Sequence, residues 1–390
     1  MTSKRSSETN QFLMVKRYLE ANFEFRYNTI SNSVEMRLKT NKDDVFNPCN
    51  DSDVYCKLKE EGYKISQSDL KAILGSYFVE KYNPIVAYFN AVKEEFKSVN
   101  FQEKGESEID KLCCYVVAKD QKRFVKHFKK AIIRTLACVL LPKMVNKQVF
   151  VLVGEKQNIG KTTLIRFLIP EPLKEYYTEN IGTDKDSQIA ICENFIISLD
   201  ELATIGKQDL NKLKAMFSKD SDKSRRPFDS RPIRRTRIAS FFGTTNNIEF
   251  LSDPTGSVRW LCFEIDGIDF KYSNEVNIDK IWAEAYFLFE NKFQYQLTAD
   301  EIKENELANR THQIVTPEME LIPKLFKQAT QKDYTLFLTA TEILNELNKN
   351  FHGLNLNSNN VGKAMTQLGF IRGQKDMGKF PVKGYYLDST

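Results

Sequence analysis

Only three histidines occur in the 390 residues, and the seven cysteines, Cys49, Cys56, Cys113, Cys114, Cys138, Cys192 and Cys262, include no C-x-x-C pair. That scatter argues against a structural zinc site and a disulfide framework, and leaves free, buried thiols in a reducing compartment. The sequence has no apolar run of the roughly eighteen residues a membrane span requires, and its opening, MTSKRSSETN, has no apolar core. A cytoplasmic protein with no membrane partner is therefore expected. Charge of one sign is also lacking: 57 Lys and Arg stand against 52 Asp and Glu, so any nucleic-acid contact must come from local clusters. What remains is an ordinary globular composition, 41% apolar and 28% charged, of a length that suits two or three domains.

The first unit, 1–83, reads as a small α+β module. Gln11 to Phe23 has helical spacing, and FEFRYNTISNSVEMRLK alternates about Asn32 and Ser33 as a hairpin. Two helices are expected near Asp51 to Glu61 and Ser66 to Glu80, with Gly62 at a C-cap and Ser66 at an N-cap, before Asn83-Pro84 breaks the pattern. Residues 84–147 read as a helical collar, with helices at Tyr88 to Phe96 and Glu108 to Val117. In its last part Lys119, Lys122, Arg123, Lys126, Lys130 and Arg134 recur every three or four residues opposite Val125, Phe128, Ile132 and Leu136. That is one basic face, either solvated or in contact with nucleic acid or another subunit, and one buried face.

Residues 148–298 alternate apolar strands and helices, the pattern of a three-layer α/β core with a largely parallel sheet. In VFVLVGEKQNIGKTTLIRFL a strand enters a Gly-containing loop that opens a helix. A phosphate chain needs inward-facing backbone amides, here expected from Gly154, Asn158, Ile159, Gly160, Lys161, Thr162 and Thr163, with Lys161 reaching the β and γ phosphates and Thr162 offering its hydroxyl to Mg²⁺. Five residues rather than four separate Gly154 from Gly160, so the loop must bulge by one.

Phe195 to Leu199 forms a second strand that delivers Asp200 and Glu201 at its C-terminal end, Asp200 to hold Mg²⁺ and Glu201 to deprotonate the attacking water. A third, Arg237 to Gly243, runs into TTNN, where Asn246 can hydrogen-bond the γ-phosphate or the lytic water without adding charge. Between them Lys223 to Arg237 carries seven basic residues against the single acid Asp229. With Phe228 and two prolines interleaved, Lys223, Arg225, Arg226, Phe228 and Arg231 suit a protruding hairpin that grips single-stranded nucleic acid.

This run of phosphate loop, Asp-Glu strand, basic hairpin and GTTN strand, followed by FLSDPTGSVRW, resembles the virulence-associated protein E family of superfamily 3 type AAA+ helicase ATPases from phages, satellites and mobile elements. The resemblance spans about 84–290, and the N-terminal module is similar to one found before this domain in Bacteroidetes-type members. It implies an AAA+ P-loop core and a homo-oligomeric ring, commonly of six subunits, with ATP between neighbours. It also implies an arginine finger. The family usually reads T-G-N-R-R where this chain has Thr255-Gly256-Ser257-Val258-Arg259, which leaves Arg259 for that role.

After a helical linker at 299–334, residues 335–390 show helix, helix and a strand pair, the order of a winged helix, whose Lys363 and Lys379 are candidates for DNA contact. The reading is an ATP- and Mg²⁺-dependent replicative helicase acting on single-stranded or forked DNA. No second cluster of paired carboxylates precedes residue 118, which leaves priming or initiation to a separate protein. Two alternatives stay open: a loader, initiator or defence switch that uses ATP without unwinding, and a DNA-binding initiator whose longer phosphate loop makes the nucleotide structural.

Overall fold

The computed structural model describes residues 10–390 except 41–44, 104, 106, 183, 206, 226–231, 252–256 and 377–379, and the backbone alone of 207–211 and 257. At the N-terminus α1 (Gln11–Asn22) leads into the antiparallel pair β1 (Phe23–Asn28) and β2 (Ser33–Leu38), with Asn32 in the left-handed region at φ +54° in the turn. Strand β3 (Asn47–Pro48), helices α2 (Asp51–Glu60) and α3 (Gln67–Leu74) and strand β4 (Glu80–Tyr82) complete a sheet of order β3-β2-β1-β4. Ser66 caps α3 as expected, its hydroxyl accepting from the Asp69 amide at 3.1 Å. The helix does not reach Glu80, however. It stops before Gly75, and residues 80–82 pair in parallel with β1 instead.

Asn83-Pro84 proves to be a beginning, not a break. The Asn83 side chain accepts from the Ile85 and Val86 amides, each at 3.1 Å, and Pro84 occupies the first turn of α4 (Pro84–Glu95), where its missing N–H costs nothing. The helix expected over 108–117 divides into α5 (Glu108–Cys114) and β5 (Val116–Ala118), because the β-branched pair Val116-Val117 is drawn into the edge of the central sheet. Then comes α6 (Gln121–Leu140), capped by Asp120.

The central unit follows as β6 (Val149–Val153), α7 (Lys161–Phe167), β7 (Tyr177–Glu179), α8 (Lys185–Glu193), β8 (Ile196–Leu199), α9 (Lys207–Phe217), the antiparallel pair β9 (Ser221–Ser224) and β10 (Ile233–Thr236), then β11 (Ser240–Thr245), β12 (Trp260–Ile268), α10 (Tyr272–Glu275) and α11 (Ile278–Glu290). Its sheet runs β5-β12-β6-β11-β8-β7, all parallel except β5. Alternation along the strands sends Phe150, Leu152, Phe242, Leu261 and Phe263 to one core, with α4, α6 and α11, and Val149, Val151, Phe241, Trp260 and Cys262 to another, with α8 and α9. Helices on both faces explain why β6 is buried along its whole length.

Helix α12 (Ala299–Ala308) corrects the reading of the basic face of α6. Arg123, Lys130 and Arg134 are all buried. Arg123 donates to the Cys262 carbonyl at 2.9 Å and to Asn305 at 2.7 Å, Lys130 pairs with Glu301 at 2.8 Å, and Arg134 donates to the Tyr295 carbonyl at 2.8 Å. Lys126 also reaches Glu301, at 3.0 Å, and Lys119 pairs with Glu264. Arg123, Lys130 and Arg134 thus hold α6 to α12 and to the sheet and are closed to solvent and nucleic acid, while Lys119, Lys122 and Lys126 keep exposed side chains. Of the same helix, His127 is buried, and burial first, then Arg123, lowers its imidazole to about 3. Burial alone would raise Glu301, but Lys130, the Thr298 amide and Lys126 pull it down to about 2.

Stability is therefore expected to fall in two stages on acidification. Below about pH 6.5 the unfolded chain protonates His127 while the folded chain does not, a loss on the order of 2 kcal/mol by about pH 5. Below about pH 4.3 the Glu301 contribution, complete above that point, is lost as its folded carboxyl titrates. Urea unfolding at successive pH values measures this. Neither ring nitrogen of His127 has a hydrogen-bond partner among the described residues, so His127→Phe loses no bond and should make the first stage shallower, leaving the part due to His312, whose imidazole burial also holds low. An unaltered slope in that variant would rule His127 out.

The C-terminal unit comprises α13 (Pro317–Leu325), β13 (Phe326–Gln328), β14 (Leu336–Leu338), α14 (Ala340–Asn350), α15 (Ser358–Gln367), β15 (Arg372–Asp376) and β16 (Pro381–Ser389). Thr339 and Glu342 form a capping box on α14, and β16 pairs antiparallel with β13, β14 and β15 around a core of Ile343, Leu347, Val361, Met365 and Leu387. No helix among the described residues is long and apolar enough to cross a membrane.

Candidate functional site

Three neighbouring parallel strands, β6, β11 and β8, end side by side and deliver their following residues to one place. The loop after β6 needs glycine at both ends. A Cβ on Gly154 would lie 2.9 Å from the Ile265 carbonyl, and Gly160 has φ +94° with the Phe270 ring 2.7 Å from where its Cβ would be. Asn158, at φ +59°, takes up a second left-handed turn, a conformation that Asn tolerates better than most residues. The additional residue of this loop is thus accommodated within a tight, doubly reversed backbone. Gly160 then opens α7, which begins with Lys161, Thr162 and Thr163.

Lys161 is buried, and its ammonium donates to the Gly154 carbonyl at 2.7 Å, the Lys156 carbonyl at 3.3 Å and Asn246 Oδ1 at 2.6 Å. Burial pulls its pKa below the usual lysine value, opposed by the nearby carboxylates of Glu201 and Asp200. Asn246 stands just past the end of β11, and its amide nitrogen donates to Glu201 Oε2 at 2.8 Å. One amide therefore joins the lysine of the loop to the second carboxylate. Glu201 itself sits at φ +50°, a conformation that costs a non-glycine residue energy and turns its side chain back toward Asn246. Asp200 accepts from the Thr162 hydroxyl at 3.0 Å and from the Thr244 hydroxyl, while its own amide donates to Asn180 Oδ1 at 2.8 Å.

These are oxygen donors of the kind Mg²⁺ selects. Among the described residues no group of three His, Cys, Asp or Glu could hold a metal by itself, but Mg²⁺ bound with a polyphosphate needs only one or two protein oxygens. The Thr162 and Asp200 oxygens fit that requirement.

Thus Gly154, Gly160, Lys161, Thr162, Asp200, Glu201 and Asn246 come together, with Asn158, Ile159 and Thr163 in the same loop and first helical turn. Arg259 does not join them. It precedes β12, whose Trp260 pairs with Val149 at the start of β6, whereas Gly154 follows the end of β6. At about 3.3 Å per residue the sheet keeps it roughly 16 Å away along the strand direction. There Arg259 approaches the Ser218 hydroxyl at 3.5 Å.

In the basic segment Lys223 and Arg225 are exposed on and beside β9, while Arg226, Phe228 and Arg231 lie outside the described residues. Arg237 leaves that set. It is buried and donates to the carbonyls of Met216, Phe217, Ala239 and Asn146, closing the end of α9 against the sheet. In the C-terminal unit Lys363 is exposed on α15 and Lys379 lies outside the described residues. The ammonium of Lys375 stands over the rings of Tyr334 at 4.0 Å and Phe337 at 4.9 Å.

Sequence reasoning missed three residues. Thr244 was in the GTTN motif but was passed over for its asparagine. Asn180, which orients Asp200, and Phe270, which lies against Gly160, carry no local signal because each acts from beyond the end of another strand, β7 and β12.

The virulence-associated protein E-like domain matches residues 97–314. No curated protein matches the chain. Among solved structures, the apo NrS-1 C-terminal region is similar over 97% of this chain and 100% of that one, at 12% identity and a TM-score of 0.52. An SCCmec type IV Cch active helicase matches over 94% and 92%, at 11% identity and a TM-score of 0.40. JCV helicase matches over 69% and 74%, at 11% identity and a TM-score of 0.33.

Proposed function

The chain belongs to the virulence-associated protein E-like domain family, and from that premise we propose that it is an ATP- and Mg²⁺-dependent helicase-type motor of DNA replication, of the superfamily 3 kind. The observation that carries the reading is the network Lys161, Asn246, Glu201 at the ends of three parallel strands, with Thr162 and Asp200 beside it. In this reading 148–298 is the AAA+ core, 1–83 and 84–147 are its N-terminal module and collar, 299–334 is a linker, and 335–390 is a winged helix.

Lys161 reaches the β and γ phosphates by exchanging its contacts with loop carbonyls and Asn246 for phosphate oxygens. Release of Asn246 from Lys161 frees its carbonyl oxygen, and Glu201, positioned by the Asn246 amide, takes the proton of the attacking water. Mg²⁺ held by Thr162 and Asp200 would offset charge on the phosphates. Arg259, at the opposite end of the strands of its own sheet, serves the site of a neighbouring copy in a ring, and Lys223, Arg225 and the rest of the basic hairpin grip one DNA strand.

The test is ATP hydrolysis with and without single-stranded DNA, followed by unwinding of a forked duplex. Turnover raised several-fold by DNA, together with unwinding, supports the motor. Turnover raised without unwinding supports a loader or initiator. Turnover that is negligible or indifferent to DNA refutes the motor.

A further inference from the structure

The β1–β2 turn reaches out of the N-terminal unit into the central one. Ile30, at its tip, is buried in the same core as Phe150 and Trp282. Asn28 is 1% exposed and fully engaged. Its amide nitrogen donates to the Tyr176 hydroxyl at 2.8 Å and to Glu35 at 2.6 Å, and its oxygen accepts from the amides of Ile30 at 2.9 Å and Ser31 at 3.1 Å. The tip is thereby shaped and docked at Tyr176, next to β7, the strand that runs to Asn180.

Two residues beyond Ile30, Asn32 meets the foot of the basic hairpin. With its amide turned so that the oxygen faces the guanidinium, it accepts from Arg235 Nη2 at 2.8 Å and Nε at 3.0 Å. The same guanidinium donates to the Ser224 carbonyl of β9 at 3.3 Å and the Ile233 carbonyl of β10 at 3.4 Å. Arg235 therefore ties both strands of the pair to Asn32, on another part of the chain.

From this geometry we infer that the N-terminal unit is a brace: Asn32, through Arg235, sets the position of the basic hairpin and so the chain's hold on single-stranded nucleic acid. The nucleic-acid half of this inference rests on the function proposed above, while the bracing half does not. Asn32 is a positioning residue, and its φ of +54° lets glycine replace it without strain, removing the acceptor for Arg235 together with the 3.3 Å contact to the Tyr27 hydroxyl within the same hairpin.

Hydrogen exchange of Asn32→Gly should show the amides of 221–224 and 233–236 exchanging several-fold faster, with the rest of the central sheet and the melting temperature unaltered. Asn32→Asp, which keeps an acceptor and also tolerates positive φ, should exchange like the parent. Unchanged exchange in Asn32→Gly overturns the brace. Affinity for a labelled oligothymidylate should fall several-fold in Asn32→Gly and recover in Asn32→Asp, while basal ATP turnover holds. A matching fall in basal turnover or melting temperature would make Asn32 a general support and overturn the inference. A parent chain that binds no oligothymidylate would refute the motor reading and the nucleic-acid half, whereas the exchange result would still decide the brace.

Discussion

Arg259→Ala is expected to lower ATP turnover on the order of a thousandfold while leaving ATP binding intact. A guanidinium that meets the developing charge on the transferred phosphoryl group contributes only as the bond breaks, so its loss falls on kcat. Within one chain this cannot happen, because Arg259 and Gly154 lie beyond opposite ends of β6. The variant should therefore be rescued in mixtures. Lys161→Ala subunits, inactive themselves, still carry Arg259 and should restore some turnover to Arg259→Ala subunits, whose own loops are whole. Titrating one into the other and following phosphate release gives the answer. Activity that never rises above the sum of the two separate variants would exclude a shared site, and Arg259→Ala with parental turnover would remove the residue from catalysis.

The second large effect is at Glu201. Glu201→Gln preserves size and one acceptor for the Asn246 amide, yet cannot take a proton. Turnover should drop on the order of a hundred- to ten-thousandfold, with ATP affinity held within a few-fold. Single-turnover phosphate release, read beside equilibrium binding of a fluorescent ATP analogue, separates the two quantities. Parental turnover in this variant would mean that Asp200 or water alone suffices, and the proposed division of labour between the two carboxylates would fail.

What could be read from the sequence was what lies close together along the chain. The phosphate loop, the Asp-Glu strand end and the Asn-bearing strand each declare themselves within about twenty residues, because each is a strand followed by its own turn, and a parallel sheet sets such turns side by side. Half of the basic face of α6 takes its meaning from residues far downstream. Lys130 is a structural ion pair only once Glu301 is known to face it, and Arg123 only once Asn305 is. Arg237 likewise looks like a DNA contact until the carbonyls of Met216 and Phe217 close on it. The same limit explains the split of the 108–117 helix, where pairing with β12 outweighed local periodicity. The capping box of α14, by contrast, is local, since Thr339 and its partner Glu342 stand three residues apart.

The outer strands of the central sheet bear on the behaviour of this protein in concentrated solution. β5 and β7 are each only three residues long, β5 is followed by the Lys119–Glu264 pair, and β7 ends at Glu179, held by Arg166. A long, uncharged strand at either position would offer a row of open amides and carbonyls to any passing chain, the first step toward irreversible β-aggregation. Strands this short, flanked by paired charge, offer almost nothing to extend. Copies of this chain can then meet through side-chain surfaces and separate again without their sheets fusing.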